Sequence, residues 1–193
     1  ASVGQVLLMH LYDKFFTEYG QVAGQVLLTK ENFANHNQYI NARNTLMAML
    51  KNGIIPVINE NDAVTVAEVK IGDNDTLSAT VAAIVDADVL IILSDIDGVY
   101  TANPQTHPEA KLLDEIKEIT PEVEALAGGS GSNLGTGGMM TKIEAAKIAK
   151  EEDQLVTSFI VDNFDNVLGP GVFMMITSGY RYPILTPQIE DIM

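Results

Sequence analysis

The chain contains no cysteine among its 193 residues. The absence of cysteine excludes disulfide bonds, thiolate metal sites and a cysteine nucleophile. A protein without disulfides fits a compartment in which thiols stay reduced. The composition therefore predicts a cytoplasmic protein.

Positive charge is scarce. Lysine and arginine number 11 against 26 aspartates and glutamates, so the formal net charge is −15. A face that binds duplex nucleic acid needs clustered cations to displace phosphate counterions, and docking on anionic lipid needs them as well. We therefore expect no nucleic-acid partner and no membrane partner.

Long apolar runs are missing too. The longest strongly apolar stretch, residues 79–93, is interrupted by Asp86 and Asp88. It cannot present the roughly 20 uninterrupted apolar residues of a membrane-spanning helix. The sequence opens at Ala1 with no basic segment before an apolar run, so we expect no secretory signal and a chain that starts inside a domain.

Histidines are few and scattered. His10, His36 and His107 lie far apart in the sequence, and their positions show no metal-ligand spacing. They also offer no basis for assembling a hydrolytic triad. The sequence therefore predicts no protein-built metal site.

Helical and strand patterns alternate along the chain. Apolar residues at helical spacing predict helices, and short continuous aliphatic runs predict buried strands. This alternation predicts an α/β fold with a mostly parallel sheet sandwiched by helices. The predicted helices are 2–19, 39–50, 76–85, part of 114–127 and 139–150, and the predicted strands are 22–28, 54–58, 89–93 and 156–161.

Polar side chains follow two of the predicted strands. In open α/β sheets, ligands bind outside the carboxyl ends of the strands. Loops are also polar simply because solvent surrounds them, so a single polar strand end carries little information. Two such ends together favour a binding site. The first end carries Asn59, Glu60, Asn61 and Asp62, and the second carries Ser94, Asp95 and Asp97.

A cluster of carboxylate and amide groups opens the helix predicted over 76–85. Asp75 is a candidate N-cap for that helix, and Asp73 and Asn74 crowd the same turn. Such groups could bind an amino group, orient lysines or reach a metal through water. A purely structural turn explains the cluster equally well.

Residues 128–138 contain six glycines. The spacing in residues 135–142 fits neither the Walker pattern nor the dinucleotide pattern. Glycines that lead into a helix nevertheless expose backbone N–H groups that can bind an anion. Lys142, in the first predicted turn, is poorly matched to the positive end of a helix unless an anion is present. Residues 135–142 therefore favour a phosphate site, and residues 128–132 a flexible linker.

Four motifs together resemble the amino acid kinase family, and in particular its members that phosphorylate glutamate. The motifs are PVINENDAV at 56–64, GDNDTLSA at 72–79, LSDIDGVY at 93–100, and GTGGM at 135–139 with Lys142. They occur in order, without large gaps, within a resemblance that runs from about residue 1 to 149. The resemblance implies an amino acid kinase domain over 1–150 and leaves 151–193 as an unassigned tail that could complete the sheet.

The resemblance implies ATP-dependent phosphorylation of the glutamate γ-carboxylate to glutamyl 5-phosphate, the first step of proline biosynthesis, with ATP and Mg²⁺. Lys142 would stabilise the moving phosphoryl group, and Asp75 would orient lysines. The implied glutamate-binding residues are Asp62 and Asn74, with Asn59, Asn61 and Asp73 beside them. The implied ATP-binding residues are Ser94, Asp95, Thr136, Gly137, Gly138, Met139, Met140, Thr141 and Lys142.

The resemblance also implies a homo-oligomer and proline as a candidate feedback inhibitor. In the family, a strand, a Gly-rich loop with a second catalytic lysine and a Ser-Gly turn precede the position of Ala1, and this sequence does not contain them. Because charge stabilisation would then be one-sided, we expect feeble turnover from this chain. The alternative is a non-catalytic nucleotide-binding or structural fragment of an amino acid kinase.

Overall fold

The structure is a computed structural model that describes residues 1–65, 73–94, 98–104, 106–127, 138–151, 155–160 and 173–176. The chain divides into two compact units, of which the first is described over residues 1–65 and the second extends from Asp73 to Ile176. Each unit combines helices with parallel strands, which confirms the predicted α/β class. The division into residues 1–150 and 151–193 stays a prediction.

The first unit is built around two parallel strands. They pair in register, from Val22 opposite Ile54 to Leu28 opposite Glu60. Both strands were predicted from their aliphatic runs. The elements of this unit are α1 (Ser2–Glu18), β1 (Val22–Leu28), α2 (Lys30–Ala34), α3 (His36–Lys51) and β2 (Ile54–Glu60).

A glycine follows the C-cap of helix α1. Gly20 has a φ of +67°. Its N–H donates to the Thr17 carbonyl at 2.9 Å, and the Gln21 N–H donates to the Phe16 carbonyl at 2.9 Å. These two bonds form the Schellman arrangement, which satisfies carbonyls that the helix end leaves open.

The apolar residues of α1 are largely exposed. No residue of this helix is buried, and Val3, Val6 and Leu7 have exposed fractions of 77%, 70% and 62%. Within the described residues, no helix, α1 included, has the length and apolar content needed to cross a membrane.

Residues 30–38, which lie between the predicted strand 22–28 and the predicted helix 39–50, are mostly helical. They form α2 and the first turn of α3. The Asn35 side chain accepts hydrogen bonds from the backbone N–H groups of Asn37 and Gln38, at 3.0 and 3.2 Å. Asparagine is a strong N-cap residue, so the polar composition here reflects a helix start rather than a loop.

The second unit contains a three-stranded mixed sheet. Its central strand β3 pairs parallel with β4 on one side and antiparallel with β5 on the other. The predicted strand at 156–161 is confirmed as β4, whereas the short β5 was not predicted. The elements are α4 (Asn74–Ile84), β3 (Val89–Ser94), α5 (Pro121–Ala127), α6 (Gly138–Glu151), β4 (Leu155–Ile160) and β5 (Phe173–Ile176).

Helix α4 packs against α6 in this unit. Small residues of both helices, Ala79 and Ala82 in α4 and Ala145 and Ala149 in α6, have no exposed surface. Side chains of this size let two helix backbones approach closely. The close packing of α4 and α6 brings the N-terminal turn of one helix to the N-terminal half of the other.

Helix α5 confirms the prediction that residues 114–127 are helical in part. It begins at Pro121 and occupies the second half of that segment. Proline favours the first helical position, and it disfavours helical conformation in the residue before it. Pro121 therefore fixes the start of the helix despite the apolar pattern upstream.

Candidate functional site

Asp73, not Asp75, caps the N-terminus of α4. Asp73 Oδ1 accepts a hydrogen bond from the Thr76 N–H at 2.7 Å, and Asp73 Oδ2 accepts one from Thr76 Oγ1 at 3.1 Å. The prediction that Asp75 is the N-cap is therefore wrong. The helix begins at Asn74, ahead of the apolar pattern, because polar residues in the first turn interrupt that pattern without interrupting the helix.

Asp75 is instead a buried carboxylate that joins α4 to α6. It is 6% exposed. Its Oδ2 accepts a hydrogen bond from Thr141 Oγ1 at 2.6 Å, and Lys142 Nζ lies 3.1 Å from Oδ2 and 3.4 Å from Oδ1. A buried carboxylate costs free energy unless it is paired and hydrogen-bonded, and two neighbouring residues of α6 satisfy both conditions here.

Lys142 places a positive charge in the N-terminal half of α6. Its side chain is 20% exposed, and that of Asp75 is 9% exposed. The Asp75 carboxylate supplies an anion beside a lysine that is poorly matched to the positive helix end. Because an ammonium group has three donors, one carboxylate does not exhaust its capacity, and the exposed part of Lys142 can meet a second anion.

A second ion pair of α6 differs in exposure. Lys147 Nζ lies 2.5 Å from Glu124 Oε1 of α5, with side chains 41% and 38% exposed. Solvent-exposed pairs of this kind contribute little to stability. Lys147 therefore provides a matched comparison for Lys142 on the same helix.

Local hydrogen bonds lower the pKa of one carboxyl group in α5, that of Glu122. Hydrogen bonds from the Thr120 side chain and from its own backbone N–H lower the pKa of the Glu122 carboxyl below its ordinary value. Thr120 immediately precedes the first helical residue, and its carbonyl accepts from the Glu124 N–H at 3.0 Å. The charged form of Glu122 is thus favoured at a helix start, where negative charge suits the macrodipole.

The predicted ATP-binding residues fall partly within the described structure. Asp95, Thr136 and Gly137 lie outside the described residues. Gly138 opens α6, Met139, Met140, Thr141 and Lys142 follow it in the same helix, and Ser94 is the last residue of β3. Their joint role in binding ATP stays a prediction.

The carboxyl end of β2 carries the other predicted cluster. Asn59 Nδ2 donates to Gln5 Oε1 at 3.1 Å, and Asn59 Oδ1 accepts from the Glu60 N–H at 2.9 Å. The Asn61 N–H donates to a carbonyl of β1 at 2.8 Å. Asp62 follows in the turn and is exposed. Sequence reasoning missed Gln5, whose link to Asn59 ties α1 to this strand end.

The predicted glutamate-binding residues are divided between the units. Asn59, Asn61 and Asp62 belong to the first unit, and Asp73 and Asn74 belong to the second. Asn74 is the first residue of α4 and is half-buried. That these five residues form one substrate site stays a prediction.

The contact between Thr141 and Asp75 had no signal in the sequence. The two residues lie 66 positions apart, and a threonine beside a lysine in a helix indicates nothing about a distant partner. A family of aligned sequences in which both positions vary together is the kind of signal that points to such a contact.

Comparison with protein families gives one match over most of the chain. A family model described as the amino acid kinase family matches residues 1–162. The matched segment extends beyond residue 149, where the resemblance of the motifs was expected to end, and it takes in β4.

Curated relatives carry one activity in their names. The chain is 57% identical over 149 residues to "Glutamate 5-kinase" of Moorella thermoacetica, covering 77% of this chain and 39% of that protein. It is 56% identical over 151 residues to "Glutamate 5-kinase" of Clostridium acetobutylicum, covering 78% and 57%. The corresponding protein of Thermoanaerobacter pseudethanolicus is 49% identical over 173 residues, covering 89% and 46%. The chain thus spans about two fifths to just over half the length of these relatives.

Proposed function

The chain belongs to the amino acid kinase family, and from this premise we propose that it serves the phosphorylation of glutamate by ATP. The names of the relatives at 56% to 57% identity support glutamate as the substrate. The product is glutamyl 5-phosphate, and the reaction opens the route to proline.

The chemistry requires charge stabilisation rather than a base. An oxygen of the glutamate γ-carboxylate attacks the γ-phosphorus of ATP and forms a new phosphorus–oxygen bond. The bond from that phosphorus to the bridging oxygen breaks, and its electron pair leaves with ADP. A carboxylate nucleophile carries no proton to remove, so the protein must bring two anions together in line and offset their negative charge.

The observation that carries the proposal is the placement of Lys142. Its ammonium nitrogen lies 3.1 Å from a buried carboxylate oxygen, and the Lys142 side chain is 20% exposed. A cation held in this way needs no reorganisation when negative charge develops on the transferring phosphoryl group. In this role Asp75 orients Lys142 and does not act as a base.

The residues proposed to bind glutamate lie at the end of a strand and at the start of a helix. Asp62 is an exposed carboxylate suited to the glutamate ammonium group, and the Asn74 amide is suited to a substrate carboxylate. Asn59, Asn61 and Asp73 are proposed to contribute to glutamate binding. Ser94, Asp95 and residues 136–142 are proposed to bind ATP.

Mg²⁺ accompanies ATP in the proposal. Kinases hold this ion with nucleotide phosphates and one or two carboxylates. Among the residues that the structure describes, no group of three or more histidines, aspartates or glutamates could hold a metal ion. Both oxygens of Asp73 and of Asp75 accept hydrogen bonds from their own unit. These carboxylates do not fit a protein-built metal site.

The proposal also covers the cellular location, the oligomeric state and the inhibition of the enzyme. A cytoplasmic location rests on the absence of cysteine, and a homo-oligomer and inhibition by proline rest on the resemblance to the family. The exposed apolar side chains of α1 are of the kind that association between chains would cover.

A second candidate function is nucleotide binding without turnover. The helix α6 opens at Gly138, and a helix start suits an anion such as a nucleotide phosphate with or without turnover. ATP binding with no glutamate-dependent release of ADP supports this second candidate.

The test is a turnover assay on the 193-residue chain. We expect ADP release that depends on glutamate, slower than the median enzyme rate of about 10 s⁻¹, and an acyl phosphate that hydroxylamine traps in equal amount. Lys142→Gln should abolish both signals, and Lys147→Gln should leave them unchanged. Absence of any acyl phosphate contradicts the proposal, and so does a Lys142→Gln variant with the wild-type rate.

A further inference from the structure

Asp75 makes polar contacts with Thr141 and Lys142 of α6, and the shortest of them involves the threonine hydroxyl rather than the lysine. Thr141 Oγ1 donates to Asp75 Oδ2 at 2.6 Å, within the range of strong hydrogen bonds between a hydroxyl and a carboxylate. Lys142 Nζ approaches the same oxygen at 3.1 Å. The carboxylate therefore receives two donors from adjacent residues of α6.

We propose that Thr141 is a positioning residue that holds the Asp75 carboxylate in the orientation from which it fixes the Lys142 ammonium. The consequence for catalysis rests on the proposed function. The positioning of Lys142 itself does not.

Lys142 alone does not fix the orientation of the Asp75 carboxylate. Its ammonium is a compact charge on a flexible four-carbon stem with rotatable donors. The terminal torsion of an aspartate is broad and roughly two-fold, so a carboxylate facing only Lys142 could turn. Its two oxygens lie 3.1 and 3.4 Å from Lys142 Nζ, and this near-equality leaves the ammonium with little preference for either oxygen.

Threonine supplies the rigidity that lysine lacks. Its branched Cβ leaves few χ1 rotamers in a helix, so the hydroxyl projects from α6 in a restricted direction. Thr141 is half-buried, and the carboxylate it contacts is 6% exposed. A donor with restricted torsions, packed against a buried acceptor, selects one oxygen of Asp75 and so sets the plane of the carboxylate.

This role and direct ATP binding by the Thr141 hydroxyl predict different kinetics. A hydroxyl has one hydrogen to donate, and in this structure that hydrogen goes to Asp75. If Thr141 positions the catalytic ammonium, its loss lowers kcat, whether or not the KM for ATP also rises. If Thr141 only donates to ATP, its loss raises the KM for ATP and leaves kcat unchanged.

The kinetic test compares Thr141→Val, which removes the hydroxyl at similar shape, with Thr141→Ser, which retains it. Misplacement of a reacting group by about 1 Å costs up to about 100-fold in rate, and we expect kcat to fall by about 10- to 100-fold in the valine variant. The serine variant should recover most of the rate. An unchanged kcat in the valine variant overturns the proposal, as does a raised KM for ATP at unchanged kcat.

A second measurement does not depend on turnover. Acylation of individual lysines by acetic anhydride, followed by mass spectrometry, reports how firmly each ammonium is held and shielded. Thr141→Val should raise the acylation rate of Lys142 several-fold over wild type and leave that of Lys147 unchanged, whereas Thr141→Ser should resemble wild type. Thr141→Ala replaces the valine variant if the latter does not fold.

The two measurements separate the two proposals. A wild-type chain without turnover contradicts the proposed function, and the acylation rates then decide the role of Thr141 alone. Equal Lys142 acylation in the wild-type and valine variants overturns the positioning role, whatever the turnover of the wild type.

Discussion

Two regions contain aspartates that differ in exposure. One is the α4–α6 contact of the second unit, formed by Asp75, Thr141 and Lys142, and the other is the β2-end loop of the first unit, residues 59–62. In the α4–α6 contact, Asp75 is 6% exposed and accepts bonds from Thr141 and Lys142. In the β2-end loop, Asp62 is exposed. An aspartate side chain is therefore packed between two helices in one region and exposed to solvent in the other.

This difference determines what a substitution can reveal. A change at Asp75 alters both the packing of two helices and the position of Lys142, so its effects on stability and on chemistry are entangled. Asp62 is exposed, so we expect a change there to disturb the packing less than a change at Asp75, and its effect on kinetics to report ligand binding. Stability and kinetics measured together distinguish the two kinds of region.

The largest expected effect is on the stability of the α4–α6 contact. Asp75→Asn leaves Lys142 without its counter-charge, and breaking a buried ion pair in this way costs about 3 kcal/mol. Urea unfolding should show a lower free energy of unfolding at an unchanged slope. Asp114→Asn, at an exposed position of the same unit, is the matched control and should change the free energy by less than about 0.5 kcal/mol. Equal effects of the two substitutions would remove the contrast between buried and exposed carboxylates.

A smaller effect is expected at the β2-end loop, and it is kinetic. Asp62→Asn removes the charge proposed to pair with the glutamate ammonium, so the KM for glutamate should rise about tenfold, with the KM for ATP unchanged. The free energy of unfolding should stay within about 0.5 kcal/mol of wild type. Asp13→Asn, at an exposed position of α1, should change neither quantity. A variant that is destabilised but retains its KM for glutamate would assign Asp62 to the fold rather than to substrate.

The smallest effect concerns Glu122, an exposed carboxylate with a hydrogen bond but no burial. The Thr120 side chain lowers the pKa of Glu122, so this contribution to stability is present above the ordinary glutamate pKa and is lost as the pH falls through the lowered value. Thr120→Ala should raise the pKa of Glu122 in an NMR titration of its carboxyl carbon, and Thr120→Ser should preserve it. An unmoved titration in the alanine variant would show that the hydroxyl is not the cause.

Local patterns predicted most of the elements that position the site. The strands β1, β2 and β4 coincide with short, mostly apolar segments, and β3 contains a continuous aliphatic run. The predicted helix 2–19 agrees with α1 to within one residue at its end, where Gly20 adopts a φ of +67° that few other residues tolerate. Predictions were weaker where polar residues begin a helix, at Asn35 before α3 and at Asp73 before α4, because capping residues resemble loop residues in composition.

Contacts between distant residues could not be predicted from local patterns. Asp75 was expected to orient lysines on the strength of the resemblance, and the structure places it against Lys142. Its pairing with Thr141 depends on how α4 and α6 pack, which the spacing of residues within either helix does not encode. The antiparallel β5 likewise depends on which side of β3 is left open for pairing.

The proposed role of the Lys142 ammonium, held by a buried carboxylate, is to bind the phosphates of ATP, and calorimetric titration of ATP with Mg²⁺ measures this binding. The wild-type chain should bind ATP with measurable heat, Lys142→Gln should weaken binding about tenfold or more, and Lys147→Gln should bind as the wild type does. No heat from the wild type, or equal affinities for the Lys142→Gln and Lys147→Gln variants, would contradict this role.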